Sequence, residues 1–408
     1  MQQNILNRFL RYIAVDTQSN PDSKTVPSTA SQSIFAHRLA DELRSLAVEN
    51  VSVDQFGNVM AKIPANINKK VPAVGFLAHI DTSPGMSGKV THPQITKNYK
   101  GTPIVLNKEK NIVLSPQLFP ELLSYKGQTI IHTDGTTLLG ADDKAGIAEI
   151  MAAIEYIGQN PEFLHGDICI GFTPDEETGT GIEHFDVQKF GADYAYTVDG
   201  GKIGELEYEN FNAAVARIEI QGLDIHPGVA KGKMINSQLL GMEIECLLPA
   251  KEKPEHTEGY EGFFLLTHFQ GTVENTVMQY IIRDHDKTLF EQKKQLLLDI
   301  AEKLNNRYER PLVSCQIKDQ YYNMREKIED FPFLIDIAQK AMLQAGVTPE
   351  IIPVRGGTDG ARLSFVGLPC PNIFAGGHNF HGKYEYTVLE SMQKATETIL
   401  NIIALFAE

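Results

Sequence analysis

Cysteine is scarce. Only four occur in 408 residues, Cys169, Cys246, Cys315 and Cys370, and none belongs to a C-x-x-C pair. That excludes a cysteine zinc cluster and a dense disulfide framework, and leaves buried thiols in a reducing compartment. Long apolar runs are absent as well: no stretch reaches the roughly 18 consecutive apolar residues that mark a membrane-spanning helix. The opening segment MQQNILNRFLRYIAVDTQSN has no uninterrupted apolar core. Ile5, Phe9 and Ile13 recur there at helical spacing with arginines between them, which predicts an amphipathic helix and not a signal peptide. Basic charge is in deficit, with 37 Lys and Arg against 52 Asp and Glu and a net charge of −15. A nucleic-acid or anionic-membrane partner would need a basic face, so neither is expected. Internal repeats and low-complexity tracts are missing too. With 42% hydrophobic and 22% charged residues, disorder, collagen and coiled coil are excluded, and a soluble cytoplasmic protein is the expectation.

What is present is an alternation of strands and helices. A helix is expected over 30–48, with Phe35, Leu39, Leu43 and Leu46 on one face, then two short strands around the Gly57-Asn58 turn. VPAVGFLAHID reads as a buried strand ending at His79 to Asp81, and 84–128 as a long surface excursion. AGIAEIMAAIEYIG is a helix; HGDICIGFT and ADYAYTVDGG are further strands. This order predicts an α/β sheet covered on both faces. From about 211 the pattern becomes strand, helix, strand pair, long helix and strand, the order of a ferredoxin-like unit. After about 320 the α/β pattern resumes, with a helix near 329–345, a strand at EIIPV and a terminal helix from about 387. The reading is therefore one α/β domain interrupted by an inserted α+β domain.

In open α/β sheets, ligands bind beyond the carboxyl ends of strands. Acids and histidines gather at four such ends. His79-Ile80-Asp81 places two polar side chains on one face of a strand, where Asp81 is able to reach the imidazole. Gly140-Ala141-Asp142-Asp143-Lys144-Ala145-Gly146 precedes a helix; one acid suffices as a cap, and its neighbour is left for metal. Pro174-Asp175-Glu176-Glu177-Thr178-Gly179 crowds acids at the mouth of a buried strand, which is costly without a cation. Adjacent glutamates suit a division of labour, one binding metal and the other moving a proton. Val198-Asp199-Gly200-Gly201 is the fourth, and GGHNFHGKYE adds His378 and His381. Imidazole and carboxylate donors without thiolate fit zinc, with cobalt and manganese next. His132-Thr133-Asp134 repeats the His-x-Asp pattern but is expected to be structural.

The series HID, LGADDKAG, PDEETGTG, VDGG and GGHNFHGKYE resembles the dinuclear zinc exopeptidase family, which includes carboxypeptidase G-type enzymes, aminoacylases and the desuccinylases of amino-acid biosynthesis. The likeness runs over nearly the whole chain, and DIHPGVAKGKMINS and RGGTDGARLSFVGLPCPNIFAGGHNFHGKYE are similar to the family's tripeptide aminopeptidases. The resemblance implies a zinc-exopeptidase domain at 1–210 and 321–408, its mixed sheet covered by helices, with a lid or dimerisation-type ferredoxin-like domain at 211–320. It implies two zinc ions per subunit and a small peptide as substrate. His79 would bind one ion, with Asp81 orienting it; Asp142 would bridge both, across a cis Asp142–Asp143 peptide. Asp199 would complete the first site with His79, and Glu177 and His381 the second. Glu176 would be the general base, and His226, on the insert, the oxyanion donor. Arg355 and Arg283 are candidates for gripping the substrate's C-terminal carboxylate through a bidentate fork. The expected activity is release of the N-terminal residue from tripeptides. An N-acyl-amino-acid deacylase or a dipeptidase would share the metal chemistry with a different pocket, and a homodimer through the insert's edge strand is left open.

Overall fold

The run Val74–His79 forms a strand with all six residues buried. Val74, Phe76 and Ala78 enter one hydrophobic core and Leu77 enters another, the two-residue period of a strand covered on both faces. A computed structural model describes all 408 residues and places this strand near the middle of an eight-stranded sheet. The order is Ser52–Val53, Val59–Ile63, Ile168–Thr173, Val74–His79, Tyr194–Gly200, Asn372–Phe374, Glu205–Glu207 and Glu350–Ile351. Ile168–Thr173 and Tyr194–Gly200 run parallel to Val74–His79 on either side. Val59–Ile63 and Glu205–Glu207 join antiparallel, so the sheet is mixed. Helices Gln2–Ile13, Ala30–Ser45, Ala141–Gln159, Phe333–Gln344 and Leu389–Ala407 contribute to the larger core. Phe190, Leu363, Leu368 and Cys370 build the smaller one on the opposite face. The expected α/β class, a mixed sheet between helices, is the one observed.

The chain forms two compact units. The sheet belongs to the first, Met1–Tyr208, Glu326–Ile352 and Thr358–Glu408. The second, Glu209–Arg325 with Pro353–Gly357, has an antiparallel sheet in the order Phe263–Gly271, Asn275–Asp284, Asn212–Gln221 and Val313–Tyr321. Helices Ser237–Leu247 and Lys287–Tyr308 cover one face through Leu240, Ile244, Phe290, Leu297 and Leu304. This is the ferredoxin-like order expected from the sequence pattern. The insert is longer than 211–320 and includes a second piece of chain. Val354 bridges to Asn210, and the Arg355 guanidinium stacks over Phe211 and Phe263, which ties residues 353–357 to it.

The segment 84–128 is not a bare surface excursion. It holds the strands Gln94–Thr96, Ile104–Asn107 and Ile112–Leu114, and Tyr99, Leu106, Leu114, Leu122 and Tyr125 form a core of their own with Tyr386 and Val388. Its turn residues hid these short strands. EIIPV contributes only Glu350–Ile351, an exposed edge pairing.

Candidate metal centre

Three parallel strands end side by side at Thr173, His79 and Gly200, and the turns that leave them carry the acids. His79 is buried at the middle end, and burial alone would lower the pKa of its ring. The Asp199 charge and the hydrogen bonds to Asp142, Asp199 and Asp81 prevail and raise it well above the ordinary value. Its Nδ1 is 3.3 Å from Asp81 Oδ1, and its Nε2 is 2.7 Å from Asp142 Oδ1 and 3.5 Å from Asp199 Oδ1. Asp81 also accepts the backbone N–H groups of Glu176 and Glu177, at 3.0 and 3.2 Å. Fully buried Asp81 thus meets the imidazole with both its backbone carbonyl oxygen, at 3.2 Å from Nδ1, and its carboxylate, which also holds the acidic turn.

Asp142 and Asp143 are joined by a cis peptide and divide their work. Asp143 is fully buried, and its oxygens accept the N–H of His79, at 3.1 Å, and of Gly146, at 3.2 Å. It is the helix cap. Asp142 points the other way: Oδ1 meets His79 Nε2 and Oδ2 meets His381 Nε2 at 3.0 Å. His381 Nε2 is also 3.0 Å from Glu177 Oε1. The hydrogen bonds to Asp142 and Glu177 push the His381 imidazole up to about 11. Burial, then the charge of Asp359, Asp199 and Glu177 against that of His79, pushes Glu176 well above the usual carboxyl range. Burial takes Asp199 up to about 7.

Two sets of donor atoms lie within 4.8 Å of one another, His79/Asp142/Glu177 and His79/Asp143/Asp199. Asp143 is the weaker donor in the second set, because its oxygens already hold two amides, whereas both oxygens of Asp142 face imidazoles. Two donors about 2.0–2.1 Å from one tetrahedral ion stand ~3.3 Å apart. The separations from His79 Nε2 to Asp142 and Asp199, 2.7 and 3.5 Å, bracket that value, and those from His381 Nε2, both 3.0 Å, fall just below it. The donor set therefore fits two divalent ions sharing Asp142. Crowded carboxylates facing only two imidazoles are what such ions would neutralise.

Several site residues escaped the sequence pattern. Asp359 is buried, accepts Thr173 Oγ1 at 2.6 Å and is pushed by burial up to about 6. Asn372 Oδ1 accepts the Asp199 N–H at 3.1 Å, and its Nδ2 donates to Glu207 at 2.6 Å. Asp175, at φ +53°, is held by the backbone N–H and hydroxyl of Ser28 and by Gln32. Glu385 accepts the N–H groups of Leu139, Gly140 and Asp142, at 2.7, 2.9 and 3.2 Å. Lys144 is buried, donates to Val15 O at 2.7 Å and is pulled by burial down to about 8. Glu385 and Asp359 lie inside the motifs GGHNFHGKYE and RGGTDG, but nothing in their spacing announces what they hold.

The remaining histidines and arginines are placed plainly. His132 is satisfied by Thr133 O and Thr96 Oγ1, and His378 by the Tyr125 hydroxyl while stacking on Tyr386. His226 lies exposed in the insert, where its Nδ1 accepts the Gly228 N–H at 3.1 Å. Arg283 lies over Tyr321 and donates to Gln320 and to backbone carbonyls of its own sheet. The terminal N–H groups of Arg355 go to Gly259 O, Glu261 O, Thr257 O and Thr257 Oγ1. Both arginines are thus engaged within the insert.

A model of peptidase family M20/M25/M40 matches residues 125–405. The chain is 59% identical to the peptidase T of Clostridium acetobutylicum over 406 residues, covering 100% of both proteins. Among solved structures, the Bacillus cereus aminopeptidase PepT aligns with a TM-score of 0.79 at 21% identity, over 100% of this chain and 99% of that one. A Staphylococcus aureus tripeptidase aligns with a TM-score of 0.77, also at 21% identity and with the same coverage.

Proposed function

The chain belongs to peptidase family M20/M25/M40, and from that premise we propose that it is a metallo-aminopeptidase releasing the N-terminal residue of tripeptides. The observation that carries this reading is Asp142, whose two oxygens each face a different imidazole, His79 and His381. His79 and Asp199 would hold one ion, Glu177 and His381 the other, and Asp142 both. Two zinc ions would supply Lewis acidity toward the scissile carbonyl and make water acidic near neutral pH. Glu176 is in neither donor set, while its backbone N–H is pinned to Asp81. Its carboxylate takes a proton from the attacking water and returns it to the departing peptide nitrogen. His226 is given the oxyanion. With Nδ1 accepting from Gly228, the neutral ring carries its proton on Nε2, ready to donate. Arg355 remains a candidate for the substrate carboxylate, which would have to compete with the carbonyls now bonded to it. The four unpaired cysteines are consistent with a cytoplasmic setting, and no helix is long and apolar enough to cross a membrane.

The test is an assay of zinc-loaded and chelated protein on a tripeptide, its N-acetyl form, a dipeptide and a phosphate ester. Rapid, chelator-sensitive hydrolysis of the free tripeptide alone is expected. Preference for the N-acetyl form would make it a deacylase, and preference for the dipeptide a dipeptidase.

A further inference from the structure

We propose that Glu385 is a positioning residue that sets the separation of two metal donors, Asp142 and His381. The inference rests on the two-ion reading above. His381 stands on an exposed loop at φ +63°, with 53% of its side chain accessible, so packing does little to fix it. The first buried residue after it is Glu385, 2% exposed, at the start of the strand Tyr386–Val388. From there its carboxylate crosses to the turn that delivers Asp142. One oxygen accepts Leu139 N–H and Gly140 N–H, and the other accepts Asp142 N–H. Leu139 and Gly140 lead into the helix Ala141–Gln159 and Asp142 lies in its first turn, where Asp143 separately caps Gly146 N–H. Gly140, at φ +77°, supplies the left-handed turn between the Leu139 and Gly140 amides and that of Asp142. A single carboxylate therefore ties the His381 loop to the Asp142 turn, and both donors lie on the same proposed ion with Glu177.

A carboxylate is needed because every partner is a donor. Charge-assisted hydrogen bonds to backbone amides are short and strong, and an ionised carboxyl is acceptor-only. An amide at this position would turn one N–H₂ group toward an N–H and release one side of the turn. Outer partners that orient metal ligands typically contribute 10–100-fold to metal affinity.

The experiment titrates metal-free wild type, Glu385→Gln and Glu385→Asp with Zn²⁺ against a chromophoric chelator, and measures kcat and KM on a tripeptide at rising Zn²⁺. Circular dichroism of each metal-free form reports folding. Wild type should take up two ions. Glu385→Gln should hold one of them about 10–100-fold more weakly, lose kcat at limiting Zn²⁺ and recover it at excess Zn²⁺, with KM little changed. Glu385→Asp keeps an acceptor and covers the case in which the Gln variant does not fold; its affinity should fall between the other two. A folded variant that binds both ions like wild type would overturn the role of Glu385 alone. Wild type that binds fewer than two ions would instead overturn the two-ion reading.

Discussion

At the residue scale, neighbouring side chains of like chemistry have unlike tasks, and position decides between them. Glu177 presents a buried oxygen to His381, while Glu176 stays outside both donor sets. Glu176→Gln should therefore keep both ions in a chelator titration yet lower kcat by about 10²–10⁴-fold, the usual contribution of proton transfer. Turnover near wild type in a fully loaded variant would remove Glu176 from the reaction. That acids and a histidine gather at strand ends was legible at His79, Asp142, Glu177 and Asp199 as a physical signal, whereas the assignment of each to an ion came from the family resemblance alone. The work of Asp175 was not. Its anchors, Ser28 and Gln32, lie about 150 residues earlier in the chain, and no local pattern joins them. The same holds for Asn372, which reaches Asp199 only through the pairing of two parallel strands.

At the scale of elements, the helix Ala141–Gln159 must approach the strand that carries Asp199 very closely. A Cβ added at Gly146 would lie 2.0 Å from Val198 O and 2.6 Å from Asp143 Oδ1. Gly146→Ala should destabilise the metal-free protein by about 1–3 kcal/mol in urea unfolding and weaken zinc binding, since backbone and cap must both shift. The sequence showed this glycine beside the acids, but only the sheet explains it.

The first helix is held by Arg8, 6% exposed, whose guanidinium bonds Glu42 and Glu155 at 2.8 Å each. Removing one partner of such a buried group costs about 3 kcal/mol, so Arg8→Met should lower stability by that order at pH 7. Burial pushes the Glu155 carboxyl up, but the hydrogen bonds from Arg8 and Asn4 outweigh it and hold it below its ordinary value. A depressed acid contributes stability above its unfolded pKa, about 4.3, and that contribution fades as pH falls through the folded value. The gap between wild type and variant should thus be full at neutral pH and shrink below about pH 4. A gap unchanged down to pH 2 would leave the ion pair without a role. Amphipathic spacing predicted this helix; the ion pair that fastens it was invisible, because Glu42 and Glu155 come from two other helices.

At the scale of the whole molecule, a net charge of −15 is partly concentrated in one buried cluster. Ions that bind the folded state alone should stabilise it by RT ln(1 + [M]/Kd), about 2.7 kcal/mol at one hundred times Kd. The Tm of the chelated protein should therefore fall clearly below that of the zinc-loaded protein, as read by calorimetry. Equal values would mean that zinc does not occupy this cluster. The interrupted architecture was legible from the change of strand pattern near 211 and its return near 320. Its edges were not, because Pro353–Gly357 joins the insert through Val354 and the stacked Arg355, a contact between segments about 145 residues apart.

By itself the sequence determined the class of sheet, the presence of an insert and the residue types that gather at strand ends. Period-two and helical patterns, and acids too crowded to stand without cations, are local properties that a chain carries wherever it folds. Only the tertiary structure decided which amides hold Asp143 and Asp81, and which arginines are already committed to carbonyls. It also decided that Glu385 holds the turn that delivers Asp142. Those outcomes depend on distances between segments far apart in the chain, which packing of the sheet and its helices sets and no spacing along the sequence records.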